Sequence, residues 1–231
     1  MKTLLLAILT LNLLLAEAAK AESNLTFDSA MPAALRTQIE GDLGFLKSIT
    51  GSGATPLHQQ FFGQGAIAGA GYMEFFSARI TGFRVDMHPA DKLAVAYNRH
   101  GVSKLFITPN FIKNDIPQVM RITVFLHEAR HSEKNHGYWS HAHCPSPYLD
   151  SNGEVVRSIL TGIDISGAPA CDTTAFGAYG IQAIALKNIQ VFCTNCSAKV
   201  KMDAGIYGDN HIDSRIIDPA AKKTLLSDVS E

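Results

Sequence analysis

Thr123-Val-Phe-Leu-His-Glu-Ala-Arg-His-Ser132 is an apolar run that ends in a His-Glu-x-x-His arrangement of His127, Glu128 and His131. On an α-helix, residues four apart stack one turn above each other, so His127 and His131 can both turn a ring nitrogen toward one tetrahedral metal ion. Glu128 then lies beside that ion. There it can take a proton from metal-bound water, whose pKa the metal lowers toward neutrality. The stretch before the motif supports a helix: Asp115 is a candidate N-cap, Pro117 falls in the first turn, and Val119 to Leu126 is mostly apolar. A helix of this kind is expected to be buried. Polar groups at its end then need partners, which a metal and hydrogen bonds behind its ligands would supply. Two solvated histidines at a surface helix end are the plainer alternative. Against that, five of the nine histidines (His127, His131, His136, His141, His143) fall in this one segment.

The 231 residues are compatible with a single domain. A net charge of -1, with no basic run to neutralise phosphates, argues against a nucleic-acid partner. Met1-Lys2, the apolar stretch Leu4 to Leu15 and a small-x-small site ending at Ala21 read as a signal peptide over residues 1–21. Residues 22–231 are then one exported domain, secreted or periplasmic, with no membrane association after cleavage. A retained anchor is the alternative, but no second long apolar run follows and no cysteine stands at the cleavage site to accept a lipid. Export makes Cys144, Cys171, Cys193 and Cys196 candidates for disulfides, in any of three pairings. Cys144 with Cys171 would anchor the loop behind the histidines, and Cys193 with Cys196 would form a tight local bridge. Half of a zinc ribbon or a redox pair is the other reading of Cys193-Thr-Asn-Cys196.

Taken in order, Ala30 to Ile49 has the apolar spacing of a core-facing helix, through Leu35, Ile39, Leu43 and Leu46. Gly51 to Pro56 reads as a loop. Gly63, Gly65, Gly69 and Gly71 lack the spacing of a dinucleotide fingerprint and read as turn or close-packing residues. Ile80 to Asp86, Leu93 to Tyr97 and Leu105 to Thr108 suggest three short strands, with His88 and His100 as surface residues between them. Ile181 to Cys193 is an apolar helical run expected to pack on the motif helix, and the tail from Asp203 reads as rich in turns. Asp172 could orient a ligand histidine or simply cap a turn; Tyr179 could donate to an oxyanion or simply fill the core.

Helix, short strands, then a buried His-Glu-x-x-His helix is a layout similar to that of zincin-type metallopeptidases. The resemblance is specific over Arg121 to Ser132 and architectural over roughly Ala30 to Cys144. It implies an α+β fold in which a small mixed sheet packs on the metal-binding helix, with a helical, disulfide-bearing C-terminal part. It also implies one Zn2+ on His127 and His131, with Glu128 as general base and later proton donor. The edge strand before the helix, from Leu93 to Tyr97 or Leu105 to Thr108, would pair with an extended substrate backbone.

The third ligand is open. In the metzincin pattern the later glycine and histidine positions would fall on Lys134 and Gly137, so the strict pattern fails. His136 would need the helix to break near Asn135, with Gly137 as C-cap. His141 is the preferred ligand, reached by a loop through Tyr138 and Trp139, with His143 and His136 as rivals. Gluzincins use a later glutamate; Glu154 could serve, but Ser151 and Glu154 also make a capping box. The expectation is therefore an exported zinc peptidase with metal on His127, His131 and His141. A zinc amidase acting on cell-wall peptides and a non-catalytic metal-binding or scaffolding protein are the alternatives, the latter supported by the surplus of histidines.

Overall fold

The computed structural model describes residues 25–63, 65–113 and 115–229, so the signal-peptide reading lies outside the described residues. The described chain enters through a short strand, β1 (Thr26–Phe27), and a long helix, α1 (Ala33–Ser48), whose Leu35, Ile39, Leu43 and Leu46 are buried as their spacing requires. Two helices follow that the sequence reading did not anticipate, α2 (Pro56–Phe62) and α3 (Gly69–Ser77). The glycine at the start of α3 is a close-packing residue, since a Cβ on Gly69 would lie 2.0 Å from the Lys47 carbonyl oxygen.

The three expected strands are present, though shorter: β2 (Gly82–Val85), β3 (Ala96–Asn98) and β4 (Leu105–Ile107). They form one sheet with β1 in the order β1-β2-β4-β3. β1, β2 and β4 run parallel, while β3 lies antiparallel to β4 at the edge, with Tyr97 opposite Phe106. A short helix, α4 (Pro109–Lys113), leads to the motif helix α5 (Gln118–Arg130). Every residue of α5 is buried except Gln118 and Arg121. Its Phe125 holds the helix against the sheet and α3, with ring centroids 5.2 Å from Phe83 and 6.0 Å from Phe76.

The start of α5 differs from expectation. Pro117 sits at the N-cap with extended backbone (φ -55°, ψ 145°), and no side chain caps the helix. Asp115 is therefore not the cap: the chain is still extended at Pro117, and the Pro117 carbonyl accepts from the amides of Met120 and Arg121. What fixes this end is Arg121, whose guanidinium grips both oxygens of Asp42 on α1 at 2.7 Å. Asp42 is fully buried and also accepts from Gln118 at 3.2 Å.

Beyond α5 the chain makes a short 3-10 turn (Lys134–Trp139) and a two-stranded ribbon of β5 (Ala142–His143) and β6 (Pro169–Cys171). Three helices complete the described chain: α6 (Ala178–Phe192), packed on α5, then α7 (Ala198–Arg215) and α8 (Pro219–Asp228). The tail is thus helical rather than turn-rich. Gly205 and Gly208, which suggested turns, lie where α7 crosses α6, and a Cβ on either would come within 2.8 Å of the Gln190 or Lys187 side chain. The helical start suggested for Ser151 to Glu154 is also replaced by a turn. Asp150 accepts from the amides of Asn152 and Glu154, Gly153 has φ +80°, and Leu149 bridges to Val155.

The architecture is a mixed α/β one with a small sheet, in line with the α+β expectation. Cys144 is bonded to Cys171 and Cys193 to Cys196, which suits an oxidising environment. No described helix is long and apolar enough to cross a membrane.

Removing the carboxylate that pins α1 to α5 leaves Arg121 without its partner at a site only 17% exposed. Asp42→Ala should cost about 3 kcal/mol, the lower end for a broken buried pair. Thermal unfolding should show a Tm lowered by roughly 6–12 °C for a domain of this size; a shift below about 2 °C would mean that apolar packing alone holds α5.

Candidate metal centre

The described residues bring His127, His131 and His141 together, with one ligand atom of each within 4.8 Å of the others. His127 and His131 lie one turn apart at the end of α5, and their Nε2 atoms are 3.3 Å apart. The Nε2 of His141 is 3.2 Å from each. Three nitrogens bound to one tetrahedral ion at the usual zinc–nitrogen length would sit about 3.3 Å apart. The donor set therefore fits a metal ion without movement.

The opposite ring nitrogens show why these three face inward. The Nδ1 of His127 meets Gln182 Oε1 on α6 at 3.1 Å, that of His131 meets the Tyr138 carbonyl at 2.8 Å, and that of His141 meets Asp172 Oδ1 at 2.8 Å. All three partners are acceptors, so each Nδ1 carries the proton and each Nε2 presents a lone pair. Three lone pairs at this separation have no proton to share. A cation is the partner that satisfies them.

Each arm has its own support. Gln182 is oriented by Thr123 Oγ1 at 3.4 Å, which links α6 to the core of α5. The Tyr138 carbonyl is aimed by a turn in which Gly137, Tyr138 and Trp139 all have φ between +48° and +61°, the left-handed region that costs energy for non-glycine residues. Glu133 holds that turn in place. It accepts from Trp139 Nε1 at 2.8 Å and from Arg79 and Arg130 at 2.7 Å. The third arm comes from the ribbon: Ala142 is paired with Cys171, so the next residues outward, His141 and Asp172, come side by side, and the Cys144–Cys171 disulfide closes the same ribbon. The other oxygen of Asp172 accepts the Tyr179 amide at 2.8 Å, in the first turn of α6. Asp172 thus both orients a histidine and satisfies an amide in the first turn of a helix whose N-cap is Gly177.

Burial, reinforced by the neighbouring histidines, holds the His127 pKa well below its ordinary value and pushes that of His131 down to about 4. Both are neutral imidazoles, the form that ligates a metal. Glu128 Oε1 lies 3.9 Å from His127 Nε2, and burial raises its pKa well above the usual carboxylate range. Tyr179 packs on His127 and His141, with ring centroids 4.5 and 4.7 Å away, and burial raises its phenol pKa, keeping it a donor. The edge strand β3 is tied to the motif through Asn98 Nδ2, which donates to the Glu128 carbonyl and to Ser132 Oγ. A cavity of about 310 Å³ runs between them, lined by residues 93–98 on one side and by the three histidines and Glu128 on the other.

The rival ligands lie elsewhere. His136 is exposed and stacks on Trp139, and His143 is exposed with its Nδ1 on the Gly167 carbonyl. Helix α5 ends at Arg130, short of the break near Asn135 that would have served His136. Glu154 is exposed in its turn and outside the cluster. His100 is exposed, as expected, and stacks on Tyr138 with ring centroids 3.9 Å apart at the edge of the cavity. The sequence assigns no site role to Gln182 or Arg215, offers His211 no partner, and places Tyr138 only in the loop that leads to His141. Gln182 did carry a signal, as a polar residue set between Ile181 and Ala183 in the apolar first half of α6.

Loss of charge at the residue behind His141 should weaken the site without dismantling it. Asp172→Asn is expected to lower zinc affinity about 10–100-fold, measured by competition with a chromophoric chelator. Unchanged affinity would remove Asp172 from the support of the site. No protein-family model, curated protein or solved structure matches this chain.

Proposed function

We propose that the protein is an exported zinc-dependent peptidase of zincin type, holding one Zn2+ on His127, His131 and His141. The observation that carries the reading is the convergence of three Nε2 atoms with the Glu128 carboxyl group beside them and an edge strand lining the same cavity. The surplus histidines that would close a fourth metal position, His136 and His143, are turned away, which favours catalysis over a purely structural site.

In this reading β3 binds the substrate. It pairs only with β4 among the described residues, and its outer side borders the cavity, so an extended peptide can add to the sheet edge by backbone hydrogen bonds. That pairing sets the scissile amide against the histidines. When bound, the metal would supply a water of lowered pKa and polarise the carbonyl. Glu128 takes the proton from the attacking water and passes it to the leaving amine. One carboxyl group can serve both transfers, accepting the proton in the first step and releasing it in the second. Tyr179, whose ring packs on His127 and His141, would donate its hydroxyl to the charge that develops on the carbonyl oxygen.

The test is Glu128→Gln, assayed on a fluorogenic peptide library with zinc content measured in parallel. The variant should retain its zinc and lose about 10²–10⁴-fold in kcat. Turnover at the wild-type rate, or no cleavage of any peptide by zinc-loaded wild type, would overturn the peptidase reading.

A further inference from the structure

Behind the three histidines the same cavity is lined by His211 and Arg215, one turn apart on α7. Neither takes part in the chemistry described above, and both are unusual for buried groups. Arg215 is 5% exposed and has no carboxylate partner among the described residues. Among the described residues only its Nη1 has an acceptor, the Ala170 carbonyl at 3.0 Å, and Nε is buried without one. His211 is 1% exposed, and both of its ring nitrogens are buried and unpartnered. A buried guanidinium without a counter-charge is costly, as is a buried imidazole without a hydrogen bond. Here the two costs are placed side by side on one wall of a cavity.

The surroundings argue that the placement is built. Arg215 reaches the cavity because α7 lies close against α6 at Gly205 and Gly208. Its own carbonyl accepts the Asp172 amide at 2.7 Å, which ties it to the residue that orients His141. Its guanidinium carbon is 5.0 Å from the Tyr179 ring centroid, His211 is 5.5 Å from the same ring, and Tyr179 in turn packs on His127 and His141. Asp172 makes no ion pair with Arg215; its two oxygens accept from His141 and from the Tyr179 amide.

We propose that Arg215 and His211 form a carboxylate-binding subsite next to the metal centre, so that the substrate is a peptide presenting a carboxylate close to the bond that is cut. The guanidinium supplies the charge and the free arms of a planar fork, and neutral His211 supplies one further N–H. A free peptide C-terminus fits this chemistry most simply, and an aspartate or glutamate side chain shares it. The inference rests on the peptidase reading for the identity of the molecule that carries the anion; the unpaired charge itself does not depend on that reading.

Binding of N-acetyl-trialanine, as free acid and as C-terminal amide, is measured by calorimetry on zinc-loaded Glu128→Gln protein, which should bind peptide without consuming it. The free acid should bind about 10–100-fold more tightly. The preference should shrink in the added variant Arg215→Lys and disappear in Arg215→Met. Because these variants could perturb the fold, the parent decides: equal affinity for the two forms, or binding of neither, overturns the subsite. A third peptide, amidated and ending in aspartate, separates the two sources; affinity matching the free acid would assign the subsite to an acidic side chain. Wild-type hydrolysis of the same peptides distinguishes the two failures. Selective binding with no cleavage would sink the peptidase reading and keep the subsite, whereas cleavage of acid and amide with equal kcat/KM would do the reverse.

Discussion

Three imidazole Nε2 atoms, on rings whose Nδ1 each meets an acceptor on the far side, face one another at 3.2–3.3 Å. No described residue relieves that arrangement: with the Nδ1 protons directed outward, three lone pairs face one another. Gln182, the Tyr138 carbonyl and Asp172 each fix a tautomer, and each comes from a different part of the chain. Helix α6, the 3-10 turn and the closed ribbon are therefore all committed to one point. The rest of the fold holds these parts in register.

That commitment explains features that would otherwise look wasteful. Helix α5 is buried nearly all round, so its two histidines are desolvated as well as aligned. The turn at residues 137–139 keeps two non-glycine residues in a costly backbone region, and Glu133, with Arg79, Arg130 and Trp139 around it, holds them there. The Cys144–Cys171 bond fastens the ribbon that delivers His141 and Asp172 together. In such a scaffold even modest loosening far from the histidines would be felt at them, because the three nitrogens must agree to within a few tenths of an ångström.

Much of this was legible in the sequence, and the limits have physical reasons. Residues four apart on a helix share a face whatever surrounds them, so His127, Glu128 and His131 could be placed from spacing alone. His141 was favoured among three nearby histidines, but a loop's return path depends on backbone conformations such as those of Tyr138 and Trp139, which the sequence gives no reason to expect. Asp172 and Tyr179 carried two readings each, and Asp172 orients a histidine while also accepting a first-turn amide. The helices at Pro56–Phe62 and Gly69–Ser77 were missed although Thr55-Pro56 is a cap followed by a first-turn proline; the glycines nearby read as punctuation. The same habit hid α7, whose Gly205 and Gly208 serve close packing, and with it the spacing that puts His211 and Arg215 on one face.

The account stands on the three histidines forming one metal site. Elemental analysis of the purified protein after dialysis tests that most directly, with wild type, His141→Ala and His143→Ala compared side by side. About one zinc per chain, as a single tetrahedral site requires, kept by His143→Ala and lost by His141→Ala, is the predicted result. A wild type that binds no metal, or a His141→Ala protein that keeps its full complement, would contradict it.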